Sequence, residues 1–500
     1  MVNYLFTHQE ALRSAKAEQA ARMCILDEIG CGIYGSRTQE GAGIIKTAAE
    51  LGNGGEIPVW GTGVLLTEDM AAMVNGALCH IRELDDVHYA ILHTGAVCVP
   101  SALAVAQRCG SSWGQLLWAV TAGVEVSVRI AEGMDFLDHR ERGWHGTATC
   151  GAFGAAAAAG VLLGLDEQQM VNALGIAGSR TGGSWAFAAD GAMTKRIHPG
   201  LAARDGIVSA CLAKNGITGP HQVLEAADGG IYRMMSRQYC LDVLDAVKER
   251  AAIEEVEYKW FASCKSVHSP YTAAHEIFKR HGFTDAEKIR NVRAEVNQSA
   301  IEMAGGTYRR DSVVSAQISI PYGVALGLMG FEGKAADYSE ERLRDEKILA
   351  VAKKVRVEES EDMNRLRREE KRSAAKVTVQ WKDGSTDTET VTAPKGSMFN
   401  PLSKEDITGK FMDLAGGIMG EETAREIACI ALKSMRSSCS ARGGRSIRNS
   451  LSSGFRFIKP MRSATSKPKI STWRGSMSIP PKCSFAASPR CNSIFRACVS

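Results

Sequence analysis

The first half of the chain is written for helices. In EDMAAMVNGALCHIRELDD (68–86) and WGQLLWAVTAGVEVSVRIAEGM (113–134) apolar residues recur every three or four positions, which lines them along one helix face. GTATCGAFGAAAAAGVLLGLD (146–166) is apolar nearly all round, the pattern of a helix buried at the centre of a helical domain. Ala and Gly abound from about Gln9 to about Glu257, so neighbouring helices are predicted to pack closely. Past Lys259 the period shortens to two. NVRAEVNQ (291–298), AVAKKVRVEES (350–360) and KVTVQWKDGSTDTETVTAP (376–394) alternate as strands do, with Asp383-Gly384 as a hairpin turn. SKEDITGKFMDLAGG (403–417) is helical again. The pattern predicts a mainly α-helical large domain begun by residues 1–258, a smaller α+β lid domain over 259–395, and a return segment over 396–433 that rejoins the helical domain. RLRREEKRS (365–373) reads as a solvated charge run with no role.

Composition narrows the class. Five hundred residues, 45% hydrophobic and 23% charged, leave room for more than one domain and exclude a lone small binding module. No run of 18 or more uncharged apolar residues stands out, so no membrane-spanning helix is predicted. Fourteen Cys without CxxC pairs predict reduced thiols in an intracellular protein, cytoplasmic by default, with a mitochondrial location left open. The net charge of +4 hides a division: residues 434–500 hold thirteen Lys or Arg and no Asp or Glu, so the first 433 residues carry −9. This Ser/Arg-rich tail is expected to be disordered or out of frame. The rival reading is a basic arm for nucleic acid or anionic lipid. Its Cys, Trp and Phe residues form no stacking or zinc pattern, so no nucleic-acid or membrane partner is favoured.

Neither a GxxxxGK[ST] loop nor a GxGxxG between strand and helix is present, which removes the usual support for nucleotide binding. Four other segments concentrate reactive side chains. ELDDVHYAILH brings Glu83, Asp85, Asp86, His88 and His93 into eleven residues. Carboxylates beside imidazoles suit an acid/base histidine, and a metal site from Asp and His is the rival. ERGWHGTAT sets His145 between glycines at the start of the apolar helix, where an anion is attracted. DGAMTKRIHPGLAARDG places Lys195, Arg196 and His198 at a Pro-Gly break before a helix. YKWFASCKSVHSPYTAAHE supplies Lys259, Lys265 and His268 at the junction of the two textures. Cations and imidazoles outnumber acids in these last two, as a pocket for a substrate with several carboxylates requires.

ILDEIGCGIYG, ELDDVHYAILHTGAVCVPSALA, GWHGTATCGAFGAAAAAGVLLGL, DGAMTKRIHPGLAARDG, KWFASCKSVHSPYTAAHE, AQISIPYGVA and KGSMFNPLS, in this order, resemble blocks of the MmgE/PrpD family across about residues 25–403. The resemblance implies a helical domain built from the first and last parts of the chain, an α+β lid between them, and an active site in the cleft. It also implies a lyase acting on a small hydroxy-tricarboxylate or related acid without metal or other cofactor, usually as a homodimer. Active-site positions of the family's decarboxylase branch fall on Glu83, Val87, His93, His145, Lys195, Lys259 and Tyr322, with Glu83 in place of Asp and Val87 in place of Thr. These two departures put dehydration of the 2-methylcitrate type first and decarboxylation of cis-aconitate to itaconate second. In that reading Lys195, Arg196, Lys259 and Lys265 clamp carboxylates, with Glu83, His198 and His268 completing the binding set. His93 or His145 moves the proton, and the other histidine, Tyr322, or a water held by Asp85 or Asp86 serves the departing hydroxide. A reading of another class is an inactive enzyme body with a basic binding tail. About fifteen residues precede Lys16, so the family's first helix is expected to be shortened. A frame change or wrong splice is expected after about Lys433, where the resemblance ends.

Overall fold

The computed structural model describes residues 1–52, 54–281, 286–306, 308 and 312–433. The basic tail therefore lies outside the described residues. The N-terminal part is mainly helical, and the C-terminal part carries a mixed sheet.

Helix Gly146–Leu163 forms the centre of the helical part, wrapped by Gly95–Cys109, Trp113–Gly133, Glu167–Arg180 and Thr194–Lys214. It is long and apolar enough to cross a membrane, but it is buried inside the protein, as the sequence pattern predicts for a central core helix. Small residues make the packing possible. A Cβ on Gly154 would lie 2.5 Å from the Gly123 carbonyl oxygen, and one on Gly206 would lie 2.3 Å from the Ala155 Cβ. Helices Glu68–His80 and Thr194–Lys214 meet in the same way, since a Cβ on Gly200 would sit 2.0 Å from the Met73 carbonyl oxygen.

The second of these helices differs from the sequence-based expectation. Lys195, Arg196 and His198 lie inside it, and Pro199 follows without a break. A proline this early removes a single intrahelical bond, and packing against the Glu68–His80 helix holds the turn together. Pro270 likewise sits in the second turn of Lys265–His281.

The sheet has four strands in the order Val355–Glu359, Ile289–Val296, Ala375–Trp381, Thr386–Val391. The first pair is parallel and the others are antiparallel. Ala375, Val377, Val379 and Trp381 alternate inward, toward the side covered by the Lys265–His281 helix, as a half-covered sheet requires. Gly384, at φ +92°, turns the hairpin. The segment 350–360 is strand only from Val355, because residues up to Ala352 finish a helix begun at Glu346. The chain then returns: helix Lys404–Phe411 packs on Ala15–Gly35, and Asp86-Val87 pairs antiparallel with Glu257-Tyr258. That short pairing sets the end of the Glu68–His80 helix beside Lys259.

Candidate active site

A cleft opens between the helical part and the lid, lined among others by Glu83, Val87, His93, His145, Lys195, Lys265 and Arg367. Its floor grows from the turn after the Glu68–His80 helix. Glu83 holds a left-handed backbone, φ +52°, which costs an L residue about 1–2 kcal/mol, and its ion pairs oppose that cost. Glu83 is paired to the Lys195 ammonium and lies 3.0 Å from Lys259 Nζ. Asp85 accepts from His80 Nδ1 at 2.7 Å and lies 3.4 Å from Lys259 Nζ. Lys195 Nζ in turn donates to His80 Nε2 at 2.9 Å. Because an ammonium can only donate, His80 Nε2 is the acceptor and Nδ1 carries the hydrogen that Asp85 receives.

Three imidazoles stand together over this lattice. His93 directs Nδ1 to the Asp86 carbonyl oxygen at 2.7 Å, with Asp85 Oδ2 at 3.3 Å. His145 occupies the N-cap position of helix Gly146–Leu163 and meets His198, Nδ1 to Nδ1, at 2.9 Å. The ring centroids of His80 and His93 are 4.4 Å apart, and Trp185 packs edge-on against His145.

The charges sort themselves by partner. Burial pushes His80 down to about 3, against the pull of Asp85. Burial and then Lys195 hold His145 well below the usual imidazole range, and the same two causes bring His198 to about 4. Burial would raise Glu83, but Lys195 and Lys259 outweigh it and keep its carboxylate ionised. Asp85 is held down in the same way by His80 and Lys259. Lys259 is raised, its burial overcome by Asp85 and Glu83.

Behind the floor lies an acidic pair on the Ala15–Gly35 helix. Burial takes Asp27 up to about 6, although Lys410 opposes it, and burial with Asp86 raises Glu28 well above its ordinary value. Lys410 reaches across from the return helix to Asp27 Oδ1 at 2.7 Å and donates to the Leu84 carbonyl oxygen at 2.5 Å. It fastens the turn that carries Glu83 and Asp85.

The structure thus brings together Glu83, Asp85, His93, His145, Lys195 and Lys259, with His198 behind His145 and Lys265 on the cleft wall, 3.1 Å from Glu257. Four expected residues stand elsewhere. Asp86 turns its carboxylate away to Thr94, accepting from Oγ1 at 2.9 Å at the start of a helix. Arg196 is buried and pairs with Glu40, which also holds Arg82, so its charge is spent in a network of its own. His268 is buried against Phe261 with Nε2 at 3.3 Å from the Ser263 carbonyl oxygen. Tyr322 is fully buried in the lid and donates to the Asp337 carbonyl oxygen at 3.3 Å.

Two side chains escaped the sequence reading. His80, the last residue of its helix, sits three positions before Glu83, and the apolar periodicity of the segment concealed it. Arg367 belongs to the run read as solvated, yet it lines the cleft and donates to the Tyr89 carbonyl oxygen at 2.8 Å. Its phase on helix Glu361–Glu370, opposite the exposed Arg365 and a quarter-turn or more from the exposed Arg368, is the signal that separates it from its neighbours.

Comparison with known proteins agrees with this architecture. Residues 2–242 match the MmgE/PrpD N-terminal domain and residues 261–434 the MmgE/PrpD C-terminal domain. The cis-aconitate decarboxylase of Aspergillus terreus (strain NIH 2624 / FGSC A1156) is 30% identical over 441 residues, covering 83% of this chain and 88% of the relative. The cis-aconitate decarboxylases of Homo sapiens and Mus musculus are 27% and 24% identical, over 82% and 83% of this chain and 85% of each relative. With both domain models matched in order and together spanning most of the chain, the protein belongs to the MmgE/PrpD family.

Proposed function

We propose that the protein is a carboxy-lyase that converts cis-aconitate, or a close tricarboxylate, to the product with one carboxyl group fewer. The observation that carries the reading is the His93 imidazole, lining the cleft with Nδ1 anchored on the Asp86 carbonyl and Asp85 at its side. A ring fixed in this way on the cleft wall is held in position to hand a proton to a bound substrate. His145, among Lys195 and His198, is held neutral instead and shapes the pocket.

In the reaction the bond to the carboxylate of the CH2 arm breaks and CO2 departs. The electron pair of that bond forms a new double bond, and the old double bond passes its pair to the carbon beside another carboxylate. That carbon takes a proton from His93, so one proton enters as one CO2 leaves. Lys265 and Arg367 are the cations on the cleft wall that meet the remaining carboxylates, and Lys195 faces the developing enolate-like charge. Nothing in this sequence of steps needs a cofactor. By analogy with the family the working unit is a homodimer.

The names of the matched relatives favour decarboxylation over the dehydration that the sequence puts first. Dehydration of 2-methylcitrate would use the same cations and imidazoles. Proton NMR separates the two: cis-aconitate giving itaconate in the presence of chelator supports the proposal, and a new olefin from 2-methylcitrate with cis-aconitate untouched would reject it. The basic-tail reading rests on residues 434–500. Retention on heparin that disappears when they are deleted would favour it.

A further inference from the structure

Beyond this chemistry, we infer that His80, His93 and His145 form a latent site for a divalent transition metal of the zinc type, in competition with the ammonium of Lys195. One ring nitrogen from each of the three buried histidines lies within 4.8 Å of one from each of the others. A tetrahedral zinc with nitrogen donors at about 2.0–2.1 Å needs them about 3.4 Å apart, so the rings have roughly an ångström to close.

Their orientation is already that of a ligand set. His80 Nδ1 is held by the Asp85 carboxylate and His93 Nδ1 by the Asp86 carbonyl oxygen, each at 2.7 Å. Carboxylate and carbonyl partners of this kind fix the tautomer of metal-bound imidazoles and leave Nε2 as the donor. His145 spends Nδ1 on His198 and has the same nitrogen free. Glu83 Oε1, 3.5 Å from His80 Nε2, supplies a fourth ligand of the right chemistry. The imidazole and carboxylate donors suit zinc, and no thiolate is among them.

One group stands in the way. Lys195 Nζ, 2.9 Å from His80 Nε2 and paired with Glu83, occupies the lone pair and the carboxylate that the ion would use. Metal entry therefore requires the lysine to withdraw. A bound ion would also take the His93 lone pair, so the occupied protein would no longer transfer a proton from that ring. The site is a brake, distinct from any requirement for metal in turnover.

Cobalt(II) titration of the full chain tests this without reference to activity. The expected result is one equivalent per chain with the intense visible bands of tetrahedral nitrogen and oxygen ligation, displaced by zinc. His80→Gln abolishes the bands. Lys195→Met, which removes the competing ammonium, tightens binding at least tenfold, a gain that misfolding cannot mimic. Thiolate charge-transfer bands from the exposed cysteines, bands that survive His80→Gln, or unchanged affinity in Lys195→Met would each overturn the inference.

Discussion

At the scale of single residues, the histidines share a fold environment but differ in what lies beside them. His80 donates to Asp85 and accepts from Lys195, so both its nitrogens are committed. His145 faces cations and another imidazole. Of these three, His93 is the one that combines a place on the cleft wall with a carboxylate neighbour and an anchor on a backbone carbonyl. His93→Gln is accordingly expected to lower kcat for decarboxylation by about 10²–10⁴ with a smaller change in KM, the range set by losing a general acid. Steady-state kinetics on cis-aconitate checks this, and an unchanged kcat would remove His93 from the proton path. The residue scale is also where the sequence was least legible. Glu83, Asp85, His93, His145, Lys195 and Lys259 stood out as clusters of chemistry within short segments. Nothing linear separated Asp86 from Asp85, although the turn sends one carboxylate to the floor and the other to Thr94. The burial of Tyr322 and His268 away from the cleft depends on how the lid's helices pack, which spacing along the chain does not encode.

At the scale of elements, the site depends on how closely two helices approach. Lys195 reaches His80 because Thr194–Lys214 and Glu68–His80 cross at Gly200 and Gly76, where a Cβ on Gly76 would lie 3.0 Å from Gly200 Cα. In Gly200→Ala the new methyl would collide with the Met73 carbonyl oxygen, which is backbone and yields only if the helices part. Overpacking of this kind costs about 1–3 kcal/mol. The expected outcome is lower stability in denaturant together with a loss of kcat/KM, since the separation pulls Lys195 from His80. A variant of full activity would show that the contact has no part in placing the lysine. This element-scale order was largely legible. Helical periods, the buried Ala-rich helix and the alternation in 376–391 follow from burial on one face or on all faces. Prolines misled the reading at Pro199, because packing against a neighbouring helix tolerates the loss of one backbone bond that local propensity counts as a stop.

At the scale of the whole molecule, the return segment ties the chain's late part to its early part. Lys410 spans Asp27 and the Leu84 carbonyl oxygen and so holds the turn bearing Glu83 and Asp85 from behind. Lys410→Met leaves Asp27 buried without its cation, and breaking a buried pair from one side costs about 3–5 kcal/mol. Thermal unfolding should show that loss, and Lys410→Arg should recover part of it. Equal melting of Lys410→Met and the parent chain would deny the strap its role. The broad plan of helical part, sheet-bearing part and return was readable because each has its own periodicity. Which late residue reaches which early one was not, since a lone Lys in a helical pattern carries no mark of its partner 383 positions away. That distance has a consequence in time. During synthesis the floor of the cleft emerges with residue 85, but its fastening arrives only with residue 410. At about 5–20 residues per second that interval is about 16–65 s. Throughout it the nascent chain carries Asp27 without the ammonium that pairs it in the folded protein, a liability that closes only as the last helices dock, so catalytic competence is among the final properties the growing polypeptide acquires.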